Sequence, residues 1–143
     1  MRLILASASP RRRELLRMLV PAFECEAADI DEAMLCDELP ADYVCRMSSE
    51  KAARVWVPGS AVLGADTTVV CHGRVLHKPD SFADAEGMLR SLSGLTHEVM
   101  TSVTLMSDAV VTTELITTRV EFAELSSKLI CLLYTSPSPR DIS

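Results

Sequence analysis

Two hydroxyls and two guanidinium groups crowd into Ser7-Ala8-Ser9-Pro10-Arg11-Arg12, directly after the apolar run Leu3 to Ala6. Ser9 is a suitable N-cap and Pro10 suits the first helical position, where a missing N–H costs nothing, so the segment reads as a turn opening a helix. Helix amino termini attract anions through unpaired N–H groups and the macrodipole, and arginine adds paired donors that match phosphate oxygens. Three consecutive cations, Arg11 to Arg13, otherwise oppose the dipole by about 0.3 to 1 kcal/mol each, which calls for an external anion or for acidic neighbours. A solvated basic face paired with Glu14 and the acidic 24–42 segment meets that requirement equally well.

Gly64-Ala65-Asp66-Thr67 reads as the end of a buried strand carrying a carboxylate and a hydroxyl, a placement that suits function at the carboxyl edge of a sheet. Asp66 could hold a magnesium ion or take a proton from water, since both roles need an ionised carboxylate beside phosphate oxygens. Asp and Thr also favour turns, so Asp66 reads as well as a residue capping a hairpin. Lys78 is held extended by Pro79 and could reach a phosphate as a point charge. It also reads as an ordinary surface lysine, and so does Lys51, whose stem can snorkel along a helix. His72, His77 and His97 lack the i, i+4 spacing of a zinc-binding helix, and the chain has neither a Gly-rich phosphate loop nor a Gly-x-Ser-x-Gly elbow.

The elements that must position these groups follow from periodicity. Leu3 to Ala6 predicts a strand, and Leu15, Leu16 and Leu19 predict a helix from Arg11 to Leu19 that Pro21 ends. Phe23 to Ala27 alternates as a second strand, and Asp29 to Glu32 follows as a loop. Pro40 to Val57 carries apolar residues at helical spacing, with Glu50, Lys51 and Arg54 elsewhere on its surface. Ala61 to Ala65 and Thr68 to Cys71 read as strands, and His72-Gly73 turns the chain into Arg74 to Leu76 as a hairpin. Ser81 caps a third helix to Leu92, with Asp84 at the capping-box position and Gly94 beyond its end. His97 to Met106 and Ala109 to Leu125 predict two long strands joined at Ser107-Asp108. The mixed order predicts an α/β or α+β sheet with helices against it.

A chain of 143 residues is the length of one domain. We assign residues 1–126 to it and expect 127–143, rich in Ser and Pro, to be an irregular and non-native tail. The net charge of −6 argues against a nucleic-acid polymer as partner. Residues 1–20 nevertheless hold five Arg against one acid, while 24–42 hold eight acids and no Lys or Arg, a pattern suited to a small polyanion captured at one point. No apolar run is long enough to span a membrane and the amino terminus lacks a signal-peptide core, so a cytoplasmic protein is expected. The five cysteines show no metal or redox spacing and read as free buried thiols.

Leu5-Ala6-Ser7-Ala8-Ser9-Pro10-Arg11-Arg12, Asp31-Glu32, Glu50-Lys51-Ala52, Gly64-Ala65-Asp66-Thr67, Lys78-Pro79 and Leu92-Ser93-Gly94-Leu95-Thr96-His97-Glu98-Val99-Met100-Thr101 follow the order of motifs in Maf proteins. The chain resembles that family from about residue 3 to about residue 125. The resemblance implies a twisted mixed β-sheet flanked by helices, similar to inosine triphosphatases, with a nucleotide held in a cleft. It implies a nucleoside triphosphate pyrophosphatase, in which water attacks the α-phosphorus with help from Mg2+ or Mn2+ and releases a monophosphate and pyrophosphate. By the same resemblance Arg11, Arg12, Lys51 and Lys78 hold the triphosphate, Ser7, Ser9 and Thr67 add hydrogen bonds, Asp66 is the general base, and Glu32 with Asp66 binds the metal. Ala65-Asp66-Thr67 and the unbroken Pro10-Arg11-Arg12 look like the branch acting on dTTP and UTP rather than on 7-methyl-GTP. Maf proteins continue with a further helix and a segment shaping the base pocket that this sequence lacks, so the fold is expected to be incomplete at the carboxyl end. A homodimer is compatible with the resemblance, and the alternative function is a nucleotide-binding regulatory module of the cell-division-inhibiting kind, without turnover.

Overall fold

The computed structural model describes residues 2–76, 81–92 and 96–121. The elements are β1 (Arg2–Ala6), α1 (Pro10–Arg17), β2 (Glu24–Cys25), α2 (Pro40–Val55), β3 (Ser60–Cys71), β4 (Arg74–Leu76), α3 (Phe82–Leu92), β5 (Thr96–Met106) and β6 (Val111–Glu121). The strands form one mixed sheet in the order β2-β1-β3-β5-β6, with β4 also paired to β3. β1 runs parallel to β2 and β3, and every other pair is antiparallel. This is the mixed architecture that the alternation of strand and helix patterns predicts.

The chain leaves β1 for β2 on one side and returns through α2 to β3 on the other. Strand order therefore reverses at β1, and the carboxyl end of such a strand is where open α/β sheets bind ligands. Right-handed crossovers in opposite directions put α1 and α2 on opposite faces of the sheet.

α2 supplies the main cover. Its buried face comprises Tyr43, Val44, Met47, Ser48, Lys51, Ala52 and Val55. Ala52 and Val55 close an apolar cluster with Ile4, Ala6 and Val62. Burial of each large apolar side chain contributes about 1.5 to 3 kcal/mol. The helix also approaches β3 very closely at Gly64, where an added Cβ would lie 2.4 Å from the Ser48 carbonyl oxygen and 2.8 Å from the Ala52 nitrogen. Hydroxyls replace apolar contacts beside this crossing: Ser48 Oγ lies 2.7 Å from Ser102 Oγ and 2.8 Å from Thr104 Oγ1, all three residues being fully buried.

Local signals set several boundaries as expected. Ser9 Oγ accepts the Arg12 amide at 3.2 Å, with Pro10 in the first turn. Ser81 Oγ accepts the Asp84 amide at 3.1 Å at the start of α3. His72 and Gly73 both take positive φ, 54° and 75°, the conformation that a two-residue hairpin turn requires.

Other expectations need correction. β3 is one strand across Asp66-Thr67 rather than two strands with a break, because β5 pairs with it continuously from Val62↔Met106 to Val70↔Glu98. α1 ends at Arg17, α2 at Val55, and β2 has only two residues. The expected apolar face of α1 is not buried, as Leu15 and Leu19 are exposed. Of the cysteines in the described residues, all four are free but only Cys71 is buried, while Cys25 and Cys36 are exposed. Lys78, Gly94 and the tail assigned to 127–143 lie outside the described residues. Among the described residues no helix is long and apolar enough to cross a membrane.

Candidate active site

β3 has a gap along one edge. β1 pairs with it up to Ala6↔Gly64, and β4 begins only at Val69↔Leu76. Among the described residues, 65–68 have no strand neighbour on that side, and Asp66 and Thr67 lie in that opening. The Ser7 to Arg12 turn emerges from β1 at the same place.

Arg12 reaches into this gap from α1. Its Nη2 donates to Thr67 Oγ1 at 2.7 Å and its Nη1 to the Ala65 carbonyl at 3.4 Å. Thr67 Oγ1 in turn lies 3.1 Å from Thr101 Oγ1, which the β3–β5 register sets directly opposite. Ser7 and Ser9 shape the turn itself: Ser7 Oγ accepts the Ser9 amide at 3.0 Å, and Ser9 caps the helix. Arg11 is exposed, and among the described residues no hydrogen bond or ion pair ties it to this cluster.

Asp66 projects from the opposite face, as successive strand residues must. There it meets Lys51 of α2, whose Nζ donates to Asp66 Oδ1 at 2.9 Å with both residues buried. The same ammonium lies 3.7 Å from Glu32 Oε1. Burial raises the Asp66 pKa above its ordinary value. The charge and hydrogen bond of Lys51 oppose that rise, Glu32 adds to it, and Arg12 opposes it more weakly. A carboxylate pushed upward beside fixed cations, in an opening of the sheet, is a candidate proton acceptor.

The donor set also bears on metal binding. No group of three or more His, Cys, Asp or Glu converges among the described residues. Two carboxylates, Asp66 and Glu32, do converge on one positive charge, that of Lys51. Magnesium is commonly held by one or two carboxylates with the remaining ligands from water and substrate phosphates, so this pair suits a cation that arrives with a polyphosphate.

The sequence matches the family described as Maf-like protein over residues 2–142. The chain belongs to the Maf-like family. It is 48% identical to the dTTP/UTP pyrophosphatase of Hahella chejuensis, an alignment covering 98% of this chain and 72% of that relative. It is 46% identical to the enzyme of the same name from Vibrio parahaemolyticus, over 97% of this chain and 75% of the relative. A third relative so named, from Anaeromyxobacter dehalogenans, is 50% identical over 87% of this chain and 68% of its own length. In fold the Maf-like chain is similar to the Ham1 protein of Staphylococcus aureus, with a TM-score of 0.55 at 13% identity, covering 84% of this chain and 70% of that one. The Ham1 protein of Coxiella burnetii gives 0.54 at 15% identity, over 85% and 72% respectively.

Of the residues singled out from sequence, the Maf-like structure brings Arg12, Thr67, Lys51, Asp66 and Glu32 around the gap, with Ser7 and Ser9 in the adjoining turn. Three residues to which the sequence assigns no role also touch this cluster or the segment beside it: Thr101 beside Thr67, Tyr43, which donates to the Glu32 carbonyl, and Arg46, which donates to the Ala33 carbonyl. Thr101 meets Thr67 only through strand register, which no local pattern reveals. Tyr43 lies eight residues before Lys51 with Met47 between, a spacing that puts all three on one helix face and was open to inspection in the sequence.

Proposed function

We propose that this Maf-like chain hydrolyses dTTP and UTP to the monophosphate and pyrophosphate. The observation that carries the reading is the buried Lys51–Asp66 pair at the open edge of β3, with Glu32 beside it and Arg12 on the other face of the strand. The pyrimidine triphosphate assignment rests on the names of relatives 46 to 50% identical to this chain.

In this reading Asp66 takes a proton from a water whose oxygen forms the new bond to the α-phosphorus. The bond from that phosphorus to its bridging oxygen breaks, and the electron pair leaves on pyrophosphate. Arg12, with Arg11, Lys51 and Lys78, binds the triphosphate and stabilises the charge growing on the leaving group. Ser7, Ser9 and Thr67 add hydrogen bonds that orient it. Asp66 and Glu32 hold Mg2+ or Mn2+, which when bound neutralises phosphate charge and polarises the phosphoryl oxygens.

The test is hydrolysis of dTTP with Mg2+ in 18O-labelled water. The reading expects dTMP carrying the label and unlabelled pyrophosphate. Release of dTDP and inorganic phosphate, or nucleotide binding without turnover, overturns it.

A further inference from the structure

Glu32 is the exposed member of the cluster, with its side chain 56% accessible, and residues 26–39 form neither helix nor strand. The start of this stretch is anchored where Ala28 packs against the apolar cluster, but farther along Glu32, Ala33, Leu35, Cys36 and Asp37 are all exposed. Polar contacts from α2 hold this exposed part, residues 32–38. Tyr43 Oη donates to the Glu32 carbonyl at 2.5 Å, and Arg46 Nη2 donates to the Ala33 carbonyl at 2.9 Å. Arg46 also forks onto Glu38, Nε to Oε2 at 2.7 Å and Nη2 to Oε1 at 2.8 Å, and its Nη1 reaches Glu50 at 2.8 Å. Glu38 Oε1 accepts the Leu35 amide at 3.0 Å, closing the segment on itself. The fork holds the Glu38 carboxyl down at about 2, so it stays charged at neutral pH.

These contacts come from the helix that carries Lys51. Tyr43, Met47 and Lys51 are spaced i, i+4, i+8 on the buried face of α2, so one helix grips Glu32 by its backbone carbonyl and faces its carboxylate with an ammonium. We propose that Tyr43 and Arg46 are positioning residues for the pyrophosphatase reaction, fastening residues 32–38 to α2 so that the Glu32 carboxylate stands beside Lys51 and Asp66 to receive the divalent cation. This rests on the metal role given to Glu32 in the proposed function. A ligand on an otherwise unanchored loop pays ordering entropy each time a cation binds, and residues that order it beforehand raise cation affinity.

Mn2+ serves as the probe, titrated into the chain with a non-hydrolysable α,β-methylene analogue of dUTP and followed by the electron paramagnetic resonance of free Mn2+. Tyr43→Phe keeps the ring and loses only the hydroxyl; it is expected to weaken Mn2+ about 10-fold, the usual effect of removing a partner of a ligand. In turnover assays the half-saturating Mn2+ concentration rises more than kcat falls. Arg46→Lys keeps a charge but loses the fork, and shifts Mn2+ affinity in the same direction. In a Glu32→Gln background neither substitution has a further effect, which a general loosening of the fold would not produce; urea midpoints monitor that loosening separately. Unchanged Mn2+ affinity in both single variants, while Glu32→Gln loses it, overturns the positioning role alone. Unchanged affinity in Glu32→Gln overturns the metal role of Glu32 and the positioning role together. An equal effect of Tyr43→Phe with and without Glu32 also overturns it.

Discussion

The Lys51 ammonium lies 2.9 Å from the Asp66 carboxylate, with the two side chains 10% and 5% exposed. A pair so enclosed gives little net stability, because removing two charges from water costs about as much as their attraction returns. Its effect on proton affinity is the more useful one. Burial makes Asp66 a better proton acceptor than a surface carboxylate, and Lys51 limits how far its pKa rises.

Asp66→Asn keeps the size of the side chain and removes the charge. The expected outcome is a fall in kcat for dTTP of at least about 10-fold, corresponding to roughly 1.4 kcal/mol of barrier, and up to about 10⁴-fold if proton transfer is fully limiting. Steady-state kinetics with saturating Mg2+ checks this, and a smaller loss removes Asp66 from the role of base.

The pH dependence follows from the direction of the shift. In the proposed mechanism Asp66 must be ionised, so the acid limb of kcat/KM should lie above the ordinary aspartate value of about 3.9. Lys51→Met removes the two influences that lower the pKa most and should move that limb to still higher pH. Stability runs the opposite way. A raised carboxyl pKa contributes stability that is present below the unfolded value and is lost as pH rises through the folded one. The urea midpoint of Asp66→Asn should therefore gain on that of the wild type as pH increases over this window.

Gly64→Ala tests how closely α2 must approach. The new Cβ would meet backbone atoms of Ser48 and Ala52 rather than a side chain that can swing away. Overpacking of this kind costs about 1 to 3 kcal/mol, read as a lowered urea midpoint. Displacement of α2 also carries Lys51 from Asp66, so the acid limb should move upward as in Lys51→Met. A normal limb alongside a lowered midpoint would show that the pair adjusts independently of the crossing.

Arg12 and Arg11 should separate in effect although they adjoin in sequence. Arg12 is held toward the gap by Thr67 and the Ala65 carbonyl, whereas Arg11 has no such anchor among the described residues. Arg12→Ala is expected to raise KM for dTTP by at least about 10-fold, the loss of one charge-assisted contact of roughly 1.5 to 3 kcal/mol, and Arg11→Ala by less. Equal effects in KM would mean that the Thr67 contact does not select between them.

Signals between neighbours along the chain fix the local elements. The Ser9 cap with Pro10, the His72-Gly73 turn, the Ser81 cap and the face of α2 are all set by contacts within a few residues. Motif order alone points to the family and to Arg12, Lys51 and Asp66 as candidates. Asp66-Thr67 misled, because these residue types favour turns; in the fold β5 pairs across them and the strand continues. Tertiary packing sets the rest: among the described residues Asp66 and Thr67 lie between β1 and β4 without a strand neighbour, Lys51 and Arg12 approach from opposite faces, Tyr43 donates to the Glu32 carbonyl, and Arg46 donates to the Ala33 carbonyl. Strand register and helix crossing join residues dozens of positions apart, and those distances are fixed by packing and long-range hydrogen bonds that leave no periodic trace in the chain.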